Sequence, residues 1–216
     1  CVLSGNAYRG IYLYGYNGSC NGNTISACSI RANLADGIYL YGGANGQCDG
    51  NSVADCTISG NGGTGICISG NLGQALGNSV TRCTISGNTD YGIRLNGHEG
   101  RCDENRVSNC TISRNGQPGV YLTGHAYAGP AGQCGGNTIQ GNTIGENFNQ
   151  GIYLRSAKGN RIEGNHVWKT QGTGHGIRCS NTQNNIIIKN TCSEQGVNYT
   201  MSINDTYGPV VNATGE

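Results

Sequence analysis

Apolar and polar residues alternate in short segments that recur along the whole chain at a nearly constant interval. In the first kind of segment a glycine is followed by two inward aliphatic positions separated by one polar or aromatic position, as in Gly10-Ile-Tyr-Leu-Tyr. Strict alternation of this kind predicts a β-strand with one buried face. The initial glycines are spaced by 27, 28, 27, 27, 32 and 25 residues, at Gly10, Gly37, Gly65, Gly92, Gly119, Gly151 and Gly176.

Two further segments follow the first within every repeat. In the second segment a β-branched residue lies two positions after an asparagine, in Asn23-Thr-Ile, Asn51-Ser-Val, Asn78-Ser-Val, Asn105-Arg-Val, Asn137-Thr-Ile, Asn160-Arg-Ile and Asn185-Ile-Ile. The third begins five residues later, in Cys28-Ser-Ile, Cys56-Thr-Ile, Cys83-Thr-Ile, Cys110-Thr-Ile, Asn142-Thr-Ile, Asn165-His-Val and Asn190-Thr-Cys. Each repeat therefore predicts three short strands, and the asparagines and glycines between them suit tight corners.

These repeats predict an all-β solenoid of about seven turns with three strands each, and we call one such turn a rung. Within the first segment Ile11 and Leu13 point inward and Tyr12 points outward. No rung has enough apolar surface to fold alone, so equivalent residues stack about 4.8 Å apart along one axis. The absence of helical periodicity between the segments argues against a doubly wound α/β fold.

The Gly-Ile-x-Leu, Asn-x-Ile and Asn-Thr-Ile segments resemble the right-handed parallel β-helix repeats of the pectate-lyase-like superfamily and of secreted bacterial repeat proteins. The resemblance covers nearly the whole chain and implies the right-handed winding, which spacing alone does not fix. It divides the chain into rungs over residues 1–196 and a closing segment or cap over 197–216. The superfamily contains lyases, epimerases, hydrolases, adhesins and inert spacers, so the fold alone does not decide the activity.

The charge of the chain is nearly balanced. Thirteen Lys and Arg residues stand against twelve Asp and Glu residues, for a formal net charge of +1. This balance argues against nucleic acid and anionic membranes as partners. No stretch of about 18 apolar residues is present, so the sequence predicts no membrane span.

Twelve cysteines fall largely into two columns of the predicted solenoid. Their spacing matches neither zinc nor haem motifs, and it favours an oxidising compartment with a ladder of disulfides between rungs. The alternative, a set of buried free thiols, stays open. The ladder positions are Cys1, Cys28, Cys56, Cys83 and Cys110 in one column and Cys20, Cys48, Cys102 and Cys134 in the other, with Ala75 interrupting the second.

Tyrosines and arginines recur on the outer side of the first strands of the rungs. The first outward column is Tyr12, Tyr39, Cys67, Arg94, Tyr121, Tyr153 and Arg178, and the second is Tyr14, Tyr41, Ser69, Asn96, Thr123, Arg155 and Ser180. Rings and guanidinium groups in such an array suit sugar stacking and carboxylate binding. The carbohydrate-binding candidates are therefore Tyr12, Tyr39, Tyr121, Tyr153, Arg155 and Arg178. The structural alternative is that tyrosine is simply favoured on exposed β-surfaces.

The same face carries the candidates for catalysis. A lyase or epimerase that acts on uronic acids needs a neutralised carboxylate, a base and an acid. Residues of these types are Arg94, His98, His125 and Tyr121, with His125 in the longest insertion between repeats. Neither an Asp-Pro-His catalytic string nor a calcium-binding nonapeptide is present, and the sequence predicts no metal and no cofactor.

Two further features concern the surface. The third strands present an outward threonine column of Thr57, Thr84, Thr111 and Thr143 beside Ser59, Ser86 and Ser113, and this array breaks at Arg31, His166 and Trp168. Ordinary strand surface is the favoured interpretation of it. Candidate glycosylation sequons begin at Asn198, Asn204 and Asn212.

The uniform rungs and short loops indicate an extracellular or cell-surface protein that is structural or contacts glycans. No amphipathic helix precedes Cys1, so we expect either a piece of a longer β-helix or a first rung that docks on another copy, stacking head-to-tail into a fibre. The alternative function is a polysaccharide lyase or C5-epimerase working along the Tyr/Arg face. The partners expected are therefore a second copy of the chain and a polysaccharide.

Overall fold

Three parallel β-sheets wind around one narrow core. A computed structural model describes residues 1–124 and 132–208, and the described residues form strands and turns without a helix. Each sheet contains eight strands, and every strand except the two terminal ones pairs with the strands of the same sheet one repeat before and after it. The predicted all-β solenoid of about seven three-strand turns is confirmed.

The strands of each sheet recur once per turn. The first sheet contains Val2–Ser4, Ser29–Arg31, Thr57–Ser59, Thr84–Ser86, Thr111–Ser113, Thr143–Gly145, His166–Trp168 and Thr191–Ser193. The second contains Ile11–Tyr14, Ile38–Tyr41, Ile66–Ser69, Ile93–Asn96, Val120–Thr123, Phe148–Arg155, Gln171–Ser180 and Val197–Thr200. The third contains Thr24–Ser26, Ser52–Ala54, Ser79–Thr81, Arg106–Ser108, Thr138–Gln140, Arg161–Glu163, Ile186–Ile188 and Thr206–Tyr207.

The register of the strands stacks equivalent side chains in columns. Ile85 pairs with Ile58 on one side and with Ile112 on the other, and all three side chains are fully buried. Burying one such side chain contributes about 1.5–3 kcal/mol. Because every rung supplies one or two inward aliphatic residues per sheet, the core is continuous along the axis rather than assembled within one rung.

Buried asparagines form ladders at the corners between sheets. Asn88 is typical: its Oδ1 accepts from Asn61 N at 3.1 Å and from Asn61 Nδ2 at 2.9 Å, and its Nδ2 donates to Asn115 Oδ1 at 3.0 Å. Each amide thus satisfies backbone and side-chain groups that a corner would otherwise bury unpaired. Another ladder runs from Asn23 to Asn185 and ends on the buried carboxylate of Asp205, which accepts from Asn185 Nδ2 at 2.8 Å.

Glycine is required where the Gly-Ile-x-Leu strand of a rung leaves the second sheet. A Cβ built on Gly70 would lie 1.7 Å from Arg101 O of the next rung. At Gly97 the same distance, to Gln133 O, is 1.7 Å. These approaches explain why a glycine recurs at this point of the repeat, since any side chain would push two rungs apart.

The last described strands extend the solenoid. Val197–Thr200 adds to the second sheet and Thr206–Tyr207 adds to the third, each pairing in parallel with the preceding rung. No helix in the described part of the chain is long and apolar enough to cross a membrane.

Candidate functional site

The outer face of the second sheet holds the two predicted columns. Register pairs join Tyr12 to Tyr39, Tyr39 to Cys67, Cys67 to Arg94, Arg94 to Tyr121, Tyr121 to Tyr153 and Tyr153 to Arg178. The neighbouring column runs from Tyr14 through Tyr41, Ser69, Asn96, Thr123 and Arg155 to Ser180 in the same register. Because the strand period is two, both columns lie on the same side of the sheet.

A third column lies beside these two and was missed from the sequence. It consists of the residues that directly precede the glycines of the Gly-Ile-x-Leu segments. The backbone is paired from rung to rung here as well, since Gly65 N, for example, donates to Tyr91 O of the next rung at 2.9 Å. The members of this column include Arg9, Asp36, Thr64, Tyr91, Gln150 and His175. The recurring glycine was the available signal, since it fixes the position before it as firmly as the positions after it.

The first two rungs carry a tyrosine cluster around Arg9. The rings of Tyr12 and Tyr39 stack at 5.5 Å between centroids, and those of Tyr14 and Tyr41 at 5.6 Å. The Arg9 guanidinium lies 4.3–4.6 Å from the centroids of Tyr8, Tyr12 and Tyr39. Its Nε donates to Asp36 Oδ2 at 3.0 Å. The positive charge of Arg9 is therefore already paired within the protein.

Burial raises the pKa of two phenols in this cluster. The pKa of Tyr12 is raised by burial to about 12, and the nearby positive charge of Arg9 offsets this increase only in part. The pKa of Tyr39 is raised further by burial and by Cys67. Both hydroxyl groups are consequently hydrogen-bond donors at neutral pH, which is the state in which they can contact sugar hydroxyls.

The later rungs carry a different arrangement, which we call the Tyr–Arg strip: Tyr91, Arg94, Tyr121, Tyr153 and Arg178. Stacked rings lie 4.9 Å apart for Tyr91 and Tyr121 and 5.2 Å apart for Tyr121 and Tyr153. An arginine lies at each end, with Arg94 5.7 Å from the Tyr91 centroid and Arg178 5.2 Å from the Tyr153 centroid. The two arginines are three rungs apart, which is roughly 14 Å along the axis.

The arginines of the strip lack acidic partners. Among the ion pairs of residues 1–124 and 132–208, none involves Arg94 or Arg178. The Nε of Arg94 is buried and has no hydrogen-bond partner within the same residues. A guanidinium in this state is suited to pair with a carboxylate that comes from outside the chain.

Cys67 separates the tyrosine cluster from the strip. It lies on the outer side of the strand, as predicted, but only 6% of it is exposed because it sits between Tyr39 and Arg94. This burial raises the pKa of the thiol to about 12, and the Arg94 charge offsets the effect only in part. Cys67 is therefore a neutral thiol at physiological pH and lacks the thiolate needed for nucleophilic chemistry.

The remaining site candidates are spread more widely. Arg155 follows Tyr153 by two residues and lies on the same face, whereas His98 is in the turn after Ile93–Asn96, where its backbone N donates to Asn96 Oδ1 at 3.3 Å. His125 lies outside the described residues. Of the sequons, Asn198 is half-buried in the last second-sheet strand, Asn204 is exposed, and Asn212 lies outside the described residues.

His175 is a titratable group on this face that the sequence analysis did not select. It occupies the third column, beside Gln150, and its Nδ1 is 3.0 Å from Thr200 Oγ1. Burial lowers the pKa of His175, and the charge of Arg178 lowers it further. At neutral pH the ring is therefore neutral, next to one end of the Tyr–Arg strip.

The predicted cysteine columns are present as free thiols rather than as disulfides. All twelve cysteines are unpaired, including Cys1 and Cys28, whose sulfur atoms are 3.0 Å apart. The inward thiols instead donate to backbone oxygens of their own rung, as Cys83 Sγ does to Thr81 O at 3.4 Å and Cys110 Sγ to Ser108 O at 3.3 Å. The bridges of the ladder are thus not formed in this structure, although the stacking on which they were based is observed.

No metal site is apparent in the described part of the chain. No group of three or more His, Cys, Asp or Glu side chains there is arranged to hold an ion. Within the cysteine columns, burial raises the pKa of Cys56 to about 11.

Comparison with known proteins places this geometry in context. The family model described as "Right handed beta helix region" matches residues 1–131 and 77–214, which together span nearly the whole chain. Among curated protein sequences, none is similar enough to count as a match.

Several solved structures share the fold. The A-module of the Azotobacter vinelandii mannuronan C-5 epimerase AlgE6 superposes with a TM-score of 0.79 at 19% identity, over 96% of this chain and 55% of that one. The periplasmic alginate epimerase AlgG gives 0.57 at 16% identity, over 90% and 48%. The Dettilon tailspike protein gives 0.50 at 15% identity, over 89% and 53%. The chain therefore spans about half the length of each of these three structures, and the likeness concerns the fold.

Proposed function

Because the chain belongs to the right-handed β-helix family, we propose that it contacts glycans and that its Tyr–Arg strip binds an acidic polysaccharide. The observation that carries this proposal is the pair of arginines at the two ends of a stack of tyrosine rings, neither of which has an acidic partner among the described residues. Similar structures include epimerases whose names state that they act on mannuronan and alginate, which are polyuronates. The extracellular location and the head-to-tail stacking stay predictions.

The chemistry of the strip fits a polyuronate better than a neutral sugar. Arginine binds carboxylates through two parallel hydrogen bonds, and tyrosine supplies both an apolar ring and a hydroxyl. Tyr121 is 7% exposed and packed between two other rings, so the strip is ordered before any ligand arrives. Such preorganisation lowers the entropic cost of binding.

The test is calorimetric titration with oligomers of mannuronate, guluronate and galacturonate. We expect binding to the wild type and about tenfold weaker binding to Arg94→Gln and to Arg178→Gln, because each removes one charge-assisted contact. Arg82→Gln is the matched control, since Arg82 is paired with Asp55 at 2.8 Å at a corner away from this face. Equal affinities for Arg94→Gln, Arg178→Gln and Arg82→Gln would show that the strip is not the binding surface.

Catalysis by a lyase or a C5-epimerase on the same face is the second candidate. It is favoured by the position of Arg94 directly beside Tyr121, since proton abstraction next to a carboxylate needs that carboxylate neutralised and an acid or base close by. Tyr121→Phe separates the two candidates because it keeps the ring and removes the hydroxyl. Binding without turnover in the wild type supports the first candidate. Formation of unsaturated ends, or epimerisation seen by NMR, that Tyr121→Phe abolishes supports the second.

A further inference from the structure

The strands of the first sheet carry one Lys, Arg, Asp or Glu side chain on their outer face, the exposed Arg31 beside Ser59, and this face is otherwise rich in hydroxyl groups. Its exposed column of Thr57, Thr84, Thr111 and Thr143 is in register, and the column beside it contains Ser59, Ser86, Ser113 and Gly145. Each rung therefore presents two small side chains on a flat strand surface, and hydroxyls are both donors and acceptors. This face is separate from the Tyr–Arg strip, which lies on the second sheet.

At one end of this face, Trp168 covers a glycine. Trp168 pairs in register with Gly145, and a Cβ built on Gly145 would lie 2.3 Å from both Cε2 and Nε1 of the indole. The ring therefore leans onto the preceding rung and occupies the space that any side chain at position 145 would take. It is half-buried, so part of its apolar surface stays in contact with solvent. Packing against the sheet fixes the ring where it can meet a ligand that lies along the hydroxyl columns.

Polar groups surround the indole without giving the place a net charge. The exposed His166 precedes Trp168 by two residues on the same strand, and its Nδ1 is 2.7 Å from Thr191 Oγ1. At the adjacent corner, Glu146 forms ion pairs with Arg114 and with Lys169, each at 3.5 Å. Glu194 follows at the same corner of the next rung, so the charges there alternate and balance. Nothing at this end of the face favours an anionic ligand over a neutral one.

From these features we infer that Trp168 and the hydroxyl columns form a second carbohydrate-binding surface, which takes a neutral glycan chain lying along the axis of the solenoid. The indole contacts the apolar C–H face of one sugar ring. The threonine and serine hydroxyls on the preceding rungs contact the hydroxyls of the following sugars. The inference stands independently of the Tyr–Arg strip, because no residue is shared between the two surfaces.

Intrinsic fluorescence tests this inference directly, because Trp168 is the single tryptophan of the chain. Titration with hexasaccharides of cellulose, mannan, xylan and laminarin is expected to shift or quench its emission in a saturable way with at least one of them. Calorimetry with that sugar is expected to give about tenfold weaker binding for Trp168→Ala, the loss of one aromatic contact. Ser113→Ala is expected to weaken binding severalfold, and Ser26→Ala, on the outer face of the third sheet, is the matched control.

Emission that stays unchanged with every neutral hexasaccharide, or affinity for the active sugar that survives in Trp168→Ala, would overturn the inference. So would a response to uronate oligomers alone that disappears in Arg94→Gln, because the indole would then be reporting on the other face. Thermal melting of each variant confirms that it is folded. Since Arg94→Gln leaves the first sheet intact, failure of one surface is distinguishable from failure of the other.

Discussion

At the scale of single residues, the neighbours of an arginine decide what it can do. Arg9 and Arg94 both lie against tyrosine rings on the same sheet, but Arg9 is ion-paired with Asp36 and Arg94 has no such partner in the described chain. The first arginine therefore stabilises the fold, whereas the second is available to a ligand. The sequence identified only Arg94 as an outward residue, and the two arginines differ in whether a carboxylate lies beside them on an adjacent rung.

This difference predicts opposite effects for two identical substitutions. Arg9→Gln is expected to lower the free energy of unfolding by about 1–2 kcal/mol, since it removes a half-buried charged hydrogen bond and a cation–π contact. It should leave uronate binding unchanged, while Arg94→Gln should weaken binding and leave stability nearly unchanged. Urea denaturation and calorimetric titration of both variants measure the two effects. Loss of binding in Arg9→Gln with unchanged stability would contradict this assignment.

The buried thiols predict a loss of stability at alkaline pH. Burial raises the pKa of Cys48 and Cys67 to about 12 and that of Cys56 to about 11, above the value of about 8.5 for an exposed thiol. The folded state thus favours the protonated form. The contribution of these thiols to the free energy of unfolding is complete below about pH 8.5 and is lost as the pH rises towards 11 and 12. Urea denaturation under reducing conditions should show this decline, and Cys67→Ala should make it less steep. A pH-independent stability between 8 and 11 would argue against buried, reduced thiols.

At the scale of structural elements, periodicity made most of the fold predictable. The three strand registers, the inward isoleucines and two of the three outward columns of the second sheet were predicted, because residues one repeat apart become neighbours whatever the details of the corners. Properties that depend on side-chain packing were not predicted. The burial of Cys67 arises from Tyr39 and Arg94 on adjacent rungs, and the position of the Trp168 ring is possible because Gly145 has no side chain.

The asparagine ladders are the elements that hold the corners, and this predicts a large cost for breaking one. Asn88→Ala removes the acceptor for the backbone and side-chain donors of Asn61 and leaves them buried. We expect a loss of about 2–4 kcal/mol in the free energy of unfolding, from one or two unsatisfied buried groups. Asn204→Ala, at an exposed asparagine, is the matched control. Equal urea midpoints for the two variants would show that the ladder contributes little.

At the scale of the whole molecule, one solenoid separates distinct surfaces that share a single core. Arg94 and Arg178, which have no acidic partner in the part of the chain that the structure describes, are on the second sheet, and hydroxyl columns that lead to an indole are on the first. The net charge of +1 conceals this arrangement, since it averages over faces that point in different directions. A stiff rod with different sides is suited to contact long polymers, because equivalent side chains recur along its axis at a constant rise.

The central claim is that the Tyr–Arg strip recognises the carboxylates of a polyuronate. The most direct measurement is calorimetric titration of the wild-type protein with a uronate hexamer and with the same hexamer after chemical reduction of its carboxylates to alcohols. Chain length and linkage are then unchanged, and only the charge is removed. We predict saturable binding of the uronate and affinity at least about tenfold lower for the reduced hexamer, in line with the loss of charge-assisted hydrogen bonds. Equal affinity for the two hexamers, or no binding of either, would contradict the claim.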